Sequence, residues 1–241
     1  MKRVFLAALI WACLGTAPVQ CLAAQKFVIA GVEVTLTEDD WEVRDVKIGA
    51  GQIGARGVEG TIANDAKLLV RRSAAGQVLA ALLITGSLGT SKGIRFLDTS
   101  CPKVSSDVFY ARRLALHESD PPQCLILGGP FNGPKTFSNS LNALKATDVP
   151  DVQVPDSAWQ VVAYAFNGFG ARFSVDGVVA TDGFNGLPAS QPLAAWPARI
   201  PAEVAAWGDA MGAAMQKALD GFFSRKTTLP PITFTAAGAP R

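Results

Sequence analysis

Ser91 is the first residue to weigh as a nucleophile. It stands in Gly89-Thr90-Ser91-Lys92-Gly93, a G-x-S-x-G pattern, and Asp98, Asp107 and His117 follow it in the order of a Ser-Asp-His triad. A nucleophile elbow needs a strand, a sharp turn and then a helix, so that the serine hydroxyl stands clear of the sheet. Here Ile94-Arg95-Phe96-Leu97 reads as a further strand, and the single histidine, His117, comes far too soon after the serine for an α/β-hydrolase. The pattern is read as a hairpin turn, and His117 as a strand residue beside the Glu118-Ser119-Asp120 turn.

Gly49-Ala50-Gly51-Gln52-Ile53-Gly54 spells G-x-G-x-x-G after a strand candidate. In a dinucleotide site these glycines open a helix whose N-terminus holds a pyrophosphate. Ala55 to Gly60 brings two more glycines and no helix start, so Gly49 to Gly60 is expected to be a loop between strands. A zinc site needs more His and Cys than the chain supplies. Asp39-Asp40 and Asp148-x-x-Asp151 are poor fits to the dense oxygen loop of a calcium or magnesium site. The sequence leads us to expect no catalytic, cofactor-binding or metal-binding residues.

The segment that leads into the chain carries more information. Met1-Lys2-Arg3 precedes an apolar run from Val4 to Leu14, and Cys21-Leu22-Ala23-Ala24 ends the segment with small residues. This is the plan of a secretory signal peptide, cleaved after Ala23 or Ala24. The run is too short for the roughly 20 residues of a spanning helix. Gln20 directly before Cys21 does not suit a lipidation site. The expected location is periplasmic or secreted, with no transmembrane helix in the mature chain. Without Lys2 and Arg3 the charges balance, since the full chain has 22 Lys+Arg and 20 Asp+Glu. A balanced chain lacks the basic footprint that nucleic-acid binding requires. Arg71-Arg72 and Arg112-Arg113 are local pairs whose members point to opposite faces of a strand, so neither makes a patch.

Removal of the signal also takes Cys13 and Cys21, leaving Cys101 and Cys124. An even pair in an oxidising compartment is expected to form a disulfide, stabilising the fold by roughly 3 kcal/mol in the chain-entropy model. The two are too far apart in sequence for a Cys-x-x-Cys redox motif.

The elements that would carry these residues are mostly strands. Phe27–Ile29 and Val32–Leu36 are strands about Gly31. Trp41–Ile48 is a strand whose apolar residues fall out of phase, which a bulge between Val43 and Val46 would explain. Lys67–Arg72 and Gln77–Thr85 form a hairpin about Ser73-Ala74-Ala75-Gly76. Val108–His117 and Cys124–Leu127 are further strands. Trp159–Phe166, Phe169–Val175 and Val178–Thr181, joined by Asn167-Gly168 and Asp176-Gly177, are expected to form a three-strand meander, because such dipeptides accept positive φ. Phe-Asn-Gly at Phe131, Phe166 and Phe184 opens turns, with the aromatic plugging the core or lining a binding rim.

Two helices are expected. Ser138–Thr147 is short and starts at a possible cap. Pro201–Ser224 is long, with Val204, Trp207, Met211, Met215, Ala218, Leu219 and Phe222 on one face. Gly208-x-x-x-Gly212 would let this helix pack closely on the sheet. The fold class is α+β: an antiparallel sheet of about seven to nine strands packed against the long helix, with the short one at an edge. Residues 25–228 make one domain, and residues 229–241 a proline-containing disordered tail. The function expected of such a chain is that of an exported, non-catalytic envelope protein binding a partner protein or small ligand. The alternative is a periplasmic hydrolase whose site is assembled only by the fold.

Overall fold

The structure is a computed structural model. It describes residues 24–55, 58–87, 95–96, 108–113, 123–132, 157–166, 171–180, 202–219 and 225–232. These residues form mostly antiparallel β-sheet with one helix. The strands are β1 (Gln25–Ile29), β2 (Val32–Leu36), β3 (Trp41–Asp45), β4 (Gly51–Ala55), β5 (Val58–Ile62), β6 (Asp65–Arg72), β7 (Val78–Ser87), β8 (Arg95–Phe96), β9 (Val108–Arg113), β10 (Gln123–Asn132), β11 (Ser157–Phe166), β12 (Arg172–Ala180) and β13 (Arg225–Thr228); the helix is α1 (Ala202–Leu219). The main sheet runs β3-β6-β7-β12-β11-β10-β9 and is antiparallel throughout. Two smaller sheets, β1-β2-β13 and β5-β4-β8, accompany it.

One face of the main sheet makes the core with α1 and the β1-β2-β13 sheet. Leu69 of β6, Ala80, Leu82 and Ile84 of β7, Phe173, Val175 and Val179 of β12, and Val161, Ala163 and Ala165 of β11 alternate onto it. From the helix come Trp207, Met211, Ala214, Met215 and Ala218; from the small sheet, Ile29, Val32, Val34 and Leu36. Lys217 stays exposed on the outer side of α1. Met211 and Met215 are fully buried, each contributing roughly 1.5–3 kcal/mol of transfer free energy. Gly208 permits the close approach expected of it: an added Cβ would lie 2.6 Å from Leu127 Cδ1.

The β1–β2 hairpin turns at Ala30-Gly31, with φ of 47° and 75°. Positive φ at both central residues is the geometry whose twist matches the flanking strands. Asp65 on β6 receives the Ala30 N–H at 2.8 Å, tying this turn to the main sheet.

Several expectations change. The three-strand meander is a hairpin, because β12 runs unbroken from Arg172 to Ala180. Asp176-Gly177 does not turn but sits mid-strand, paired with Val162-Val161 on one side and Leu83-Leu82 on the other. Gly177 is there for space: a Cβ would fall 2.2 Å from the Ala81 carbonyl oxygen and 2.8 Å from Leu82 Cα. Pairing on both edges overrides a local turn preference. The glycine-rich stretch 49–60 is not simply a loop: it carries the antiparallel β4–β5 pair, in register from Gly51↔Ile62 to Ala55↔Val58. The bulge expected in Trp41–Ile48 is absent from the β3–β6 register, which runs evenly from Trp41↔Arg71 to Asp45↔Lys67; the strand ends there and accounts for the change of phase. The expected tail starts with four docked residues: Leu229 and Ile232 are buried, and the Leu229 N–H reaches the Thr35 carbonyl at 3.1 Å. The 138–147 helix, the last turn of the long helix and residues 233–241 lie outside the described residues.

Candidate functional site

The second face of the main sheet is also buried, and there polar groups gather. Leu68 and Val70 of β6, Ala81 and Leu83 of β7, Val178 and Ala180 of β12, and Cys124 of β10 lie on this face and are covered. Among them β12 places Arg172, Ser174 and Asp176 at alternate positions, while Phe173 and Val175 point into the main core. Antiparallel register sets Arg172 opposite Ser87, Ser174 opposite Thr85 and Asp176 opposite Leu83. The polar stripe therefore crosses the two central strands of the sheet.

Its members are held in different ways. The hydroxyls of Thr85 and Ser174 are 2.5 Å apart and share a hydrogen bond in a buried setting. Arg172 Nε and Asp176 Oδ1 are shielded from solvent. Ser87 is only 2% exposed, and its Oγ has no hydrogen-bond partner. A buried hydroxyl left unsatisfied costs about 1–3 kcal/mol, and buried orphans of this kind are a few per hundred residues in native proteins. Chemically the stripe offers a guanidinium, three hydroxyls and a carboxylate within the reach of two strands. It can orient a polar molecule through several hydrogen bonds. Arg172 supplies donors only, Asp176 ionised supplies acceptors only, and the hydroxyls supply both.

The residues singled out from the sequence are placed differently. Ser91, Asp98, Asp107, His117, Cys101, Asp148, Asp151 and Phe184 lie outside the described residues. Cys124 is wholly buried, at the β10 position paired with Arg113. Asp40 is committed to an ion pair with Arg71 at 2.6 Å. The G-x-G-x-x-G residues form the end of a strand connection and β4. Phe131 and Asn132 are paired residues of β10, and Phe166 is the last residue of β11. Arg71 and Arg72 do diverge, Arg71 towards Glu38 and Asp40 and Arg72 towards Glu42. Among the described residues no three His, Cys, Asp or Glu side chains come together as a metal site would need, and no helix is long and apolar enough to cross a membrane.

None of the five stripe residues stands out in the sequence as a functional residue. The available signal is the alternation Arg172-Phe173-Ser174-Val175-Asp176, polar on one side and apolar on the other. Reading Asp176-Gly177 as a turn puts the aspartate in solvent and cuts that pattern short.

No family model, curated protein or solved structure matches the chain.

Proposed function

We propose that this chain is an exported, non-catalytic envelope protein that binds a small polar ligand through the Arg172–Ser174–Asp176 face of its main sheet. The observation that carries the reading is the setting of that stripe: Ser174, Thr85 and Ser87 are buried and Arg172 and Asp176 half-buried, alternate polar residues on neighbouring strands of a face whose apolar residues are covered. A partner protein is the less favoured occupant, because Val28 is the one large hydrophobic found exposed among the described residues, and protein interfaces centre on apolar and aromatic anchors.

Export is supported by the signal-like plan of residues 1–24 and by the balanced charge left after its removal. Balanced charge likewise argues against a nucleic-acid partner. An oxidising compartment is the setting for a disulfide from Cys124 to Cys101, the other cysteine beyond the signal. The same reading extends α1 to Ser224 and adds the short 138–147 helix at a sheet edge.

Thermal-shift screening of the mature protein against a panel of small polar metabolites tests the function. A hit whose shift disappears in Asp176→Asn, with that variant still melting cooperatively, supports the reading. Hits unaffected by Asp176→Asn and Ser174→Ala place the binding elsewhere and overturn it.

A further inference from the structure

Resting on the export part of that reading, and on no part of the ligand proposal, we infer that Gln25 is a modification site: cleavage after Ala24 makes it the N-terminal residue, and it closes there to pyroglutamate. The fold begins at this bond among the described residues. Ala24 is exposed and outside any strand, whereas Gln25 is the first residue of β1 and pairs with Leu36 of β2. A cut after Ala24 leaves β1 entire with no overhang, and it leaves a small residue on the signal side of the bond, as signal cleavage requires.

The closure needs no second substrate. The freed α-amino nitrogen of Gln25 attacks its own side-chain Cδ, forming a C–N bond and closing a lactam ring. The Cδ–Nε2 bond breaks, one proton passes from the amine to Nε2, and the amide nitrogen leaves as ammonia. Nucleophile and carbonyl belong to one residue, so the encounter is intramolecular. No water or oxidant is consumed.

The setting of Gln25 favours the closed form. Gln25 and Phe27 alternate with Lys26 and Val28, and share the inward side of β1 with the buried Ile29. There Gln25 Oε1 is shielded from solvent and accepts no hydrogen bond, so that oxygen does not anchor the amide against displacement. An open Gln25 terminus would bring an ammonium and two amide donors to a half-buried position, where unpaired polar groups are costly and unpaired charges more so. The acid on the adjacent strand is already engaged: Glu33 lies between Lys26 and Lys226, 3.6 Å from each. Closure removes the ammonium and the amide donors together. The lactam keeps one N–H, so the backbone position retains its donor, and the terminus no longer offers an amine to an aminopeptidase.

Intact mass and N-terminal sequencing of the exported protein, purified cold and at once, test the inference. The expected chain begins at Gln25 and is lighter by one ammonia, beyond the two hydrogens of the expected disulfide. It should give no sequencing signal until pyroglutamyl aminopeptidase removes the first residue, after which the sequence starts at Lys26. Gln25→Ala cannot close and should be sequenced directly from the same cut; a variant blocked like the wild type overturns the assignment. A wild-type chain that begins at Gln25 with its ammonia retained also overturns the closure, as does one that begins at Ala24 or at any other residue past the signal. These outcomes leave export standing, whereas an intact Met1 terminus overturns both.

Discussion

Replacing Arg71 by methionine should loosen the segment around Ile232 and cost more than an exposed ion pair such as Lys26–Glu33. Arg71 on β6 donates from Nε to Asp40 at 2.6 Å and lies 3.5 Å from Glu38 through Nη1. The same Nη1 donates to the Ile232 carbonyl, and Glu38 in turn accepts the Ile232 N–H at 2.5 Å. The guanidinium also lies over Trp41, 5.9 Å from the ring centre. Residues 38 and 71 thus grip both backbone groups of Ile232. The side chains of Arg71 and Glu38 are 13% and 18% exposed. Breaking a fully buried pair costs roughly 3–5 kcal/mol and an exposed one about 0–1 kcal/mol, so a largely covered pair should lose about 2–3 kcal/mol. At about 2–4 °C per kcal/mol for a chain of this size, Tm should fall by about 4–12 °C. Methionine keeps an unbranched apolar side chain of similar reach, so the loss reports mainly the charge, its hydrogen bonds and its contact with the Trp41 ring. Lys26→Met is the control, since Lys26 and Glu33 are 58% and 33% exposed and 3.6 Å apart; it should shift stability by under about 1 kcal/mol. Urea melts give both values, and amide exchange at Ile232 localises the effect. An Arg71→Met midpoint no lower than that of Lys26→Met, with Ile232 still protected, would refute the reasoning.

Three further outcomes follow from the structure. Gly177→Ala should destabilise by about 3 kcal/mol or more, at or beyond the usual cost of overpacking, because its Cβ meets the backbone of Ala81 and Leu82 rather than a yielding side chain; a soluble variant with wild-type urea midpoint contradicts this. Thr85→Val and Ser174→Ala should each cost about 1–3 kcal/mol by orphaning the other hydroxyl, whereas the double variant should cost less than their sum; strict additivity in chemical denaturation would deny the buried bond. Intact mass of the exported protein should show a chain beginning at Ala24 or Gln25, with a mass two hydrogens below the fully reduced form for one disulfide; an intact Met1 N-terminus would remove the export reading.

Much of the architecture was legible because its signals are local. Apolar runs on both sides of a Ser-Ala-Ala-Gly turn suffice to draw the β6–β7 hairpin, and Trp207, Met211, Met215 and Ala218 at helical spacing identify the buried face of α1. Three features were illegible for physical reasons. Asp176-Gly177 carries a strong turn preference that is defeated by strands on both sides, and a single sequence does not reveal which strands will be central. The β4–β5 strands contain few side chains to mark an apolar face, so their glycines read as loop. Residues 229–232 hold two prolines that suggest an unpaired tail, yet their docking depends on Arg71 and Glu38, more than 150 residues away. The candidate site was hidden for a related cause. Polar residues alternating along a strand ordinarily mark a wet face, and only the burial of Leu68, Val70, Ala81 and Val178 beside them shows that this face is dry.

The most direct test of the central claim, that the polar stripe on β12 and β7 binds a small polar ligand, is a calorimetric titration of wild type and Asp176→Asn side by side with whichever compound the thermal screen selects. The account predicts one site per chain in the wild type and at least a tenfold loss of affinity in the variant, with both proteins folded. Equal affinity in the two proteins would contradict it.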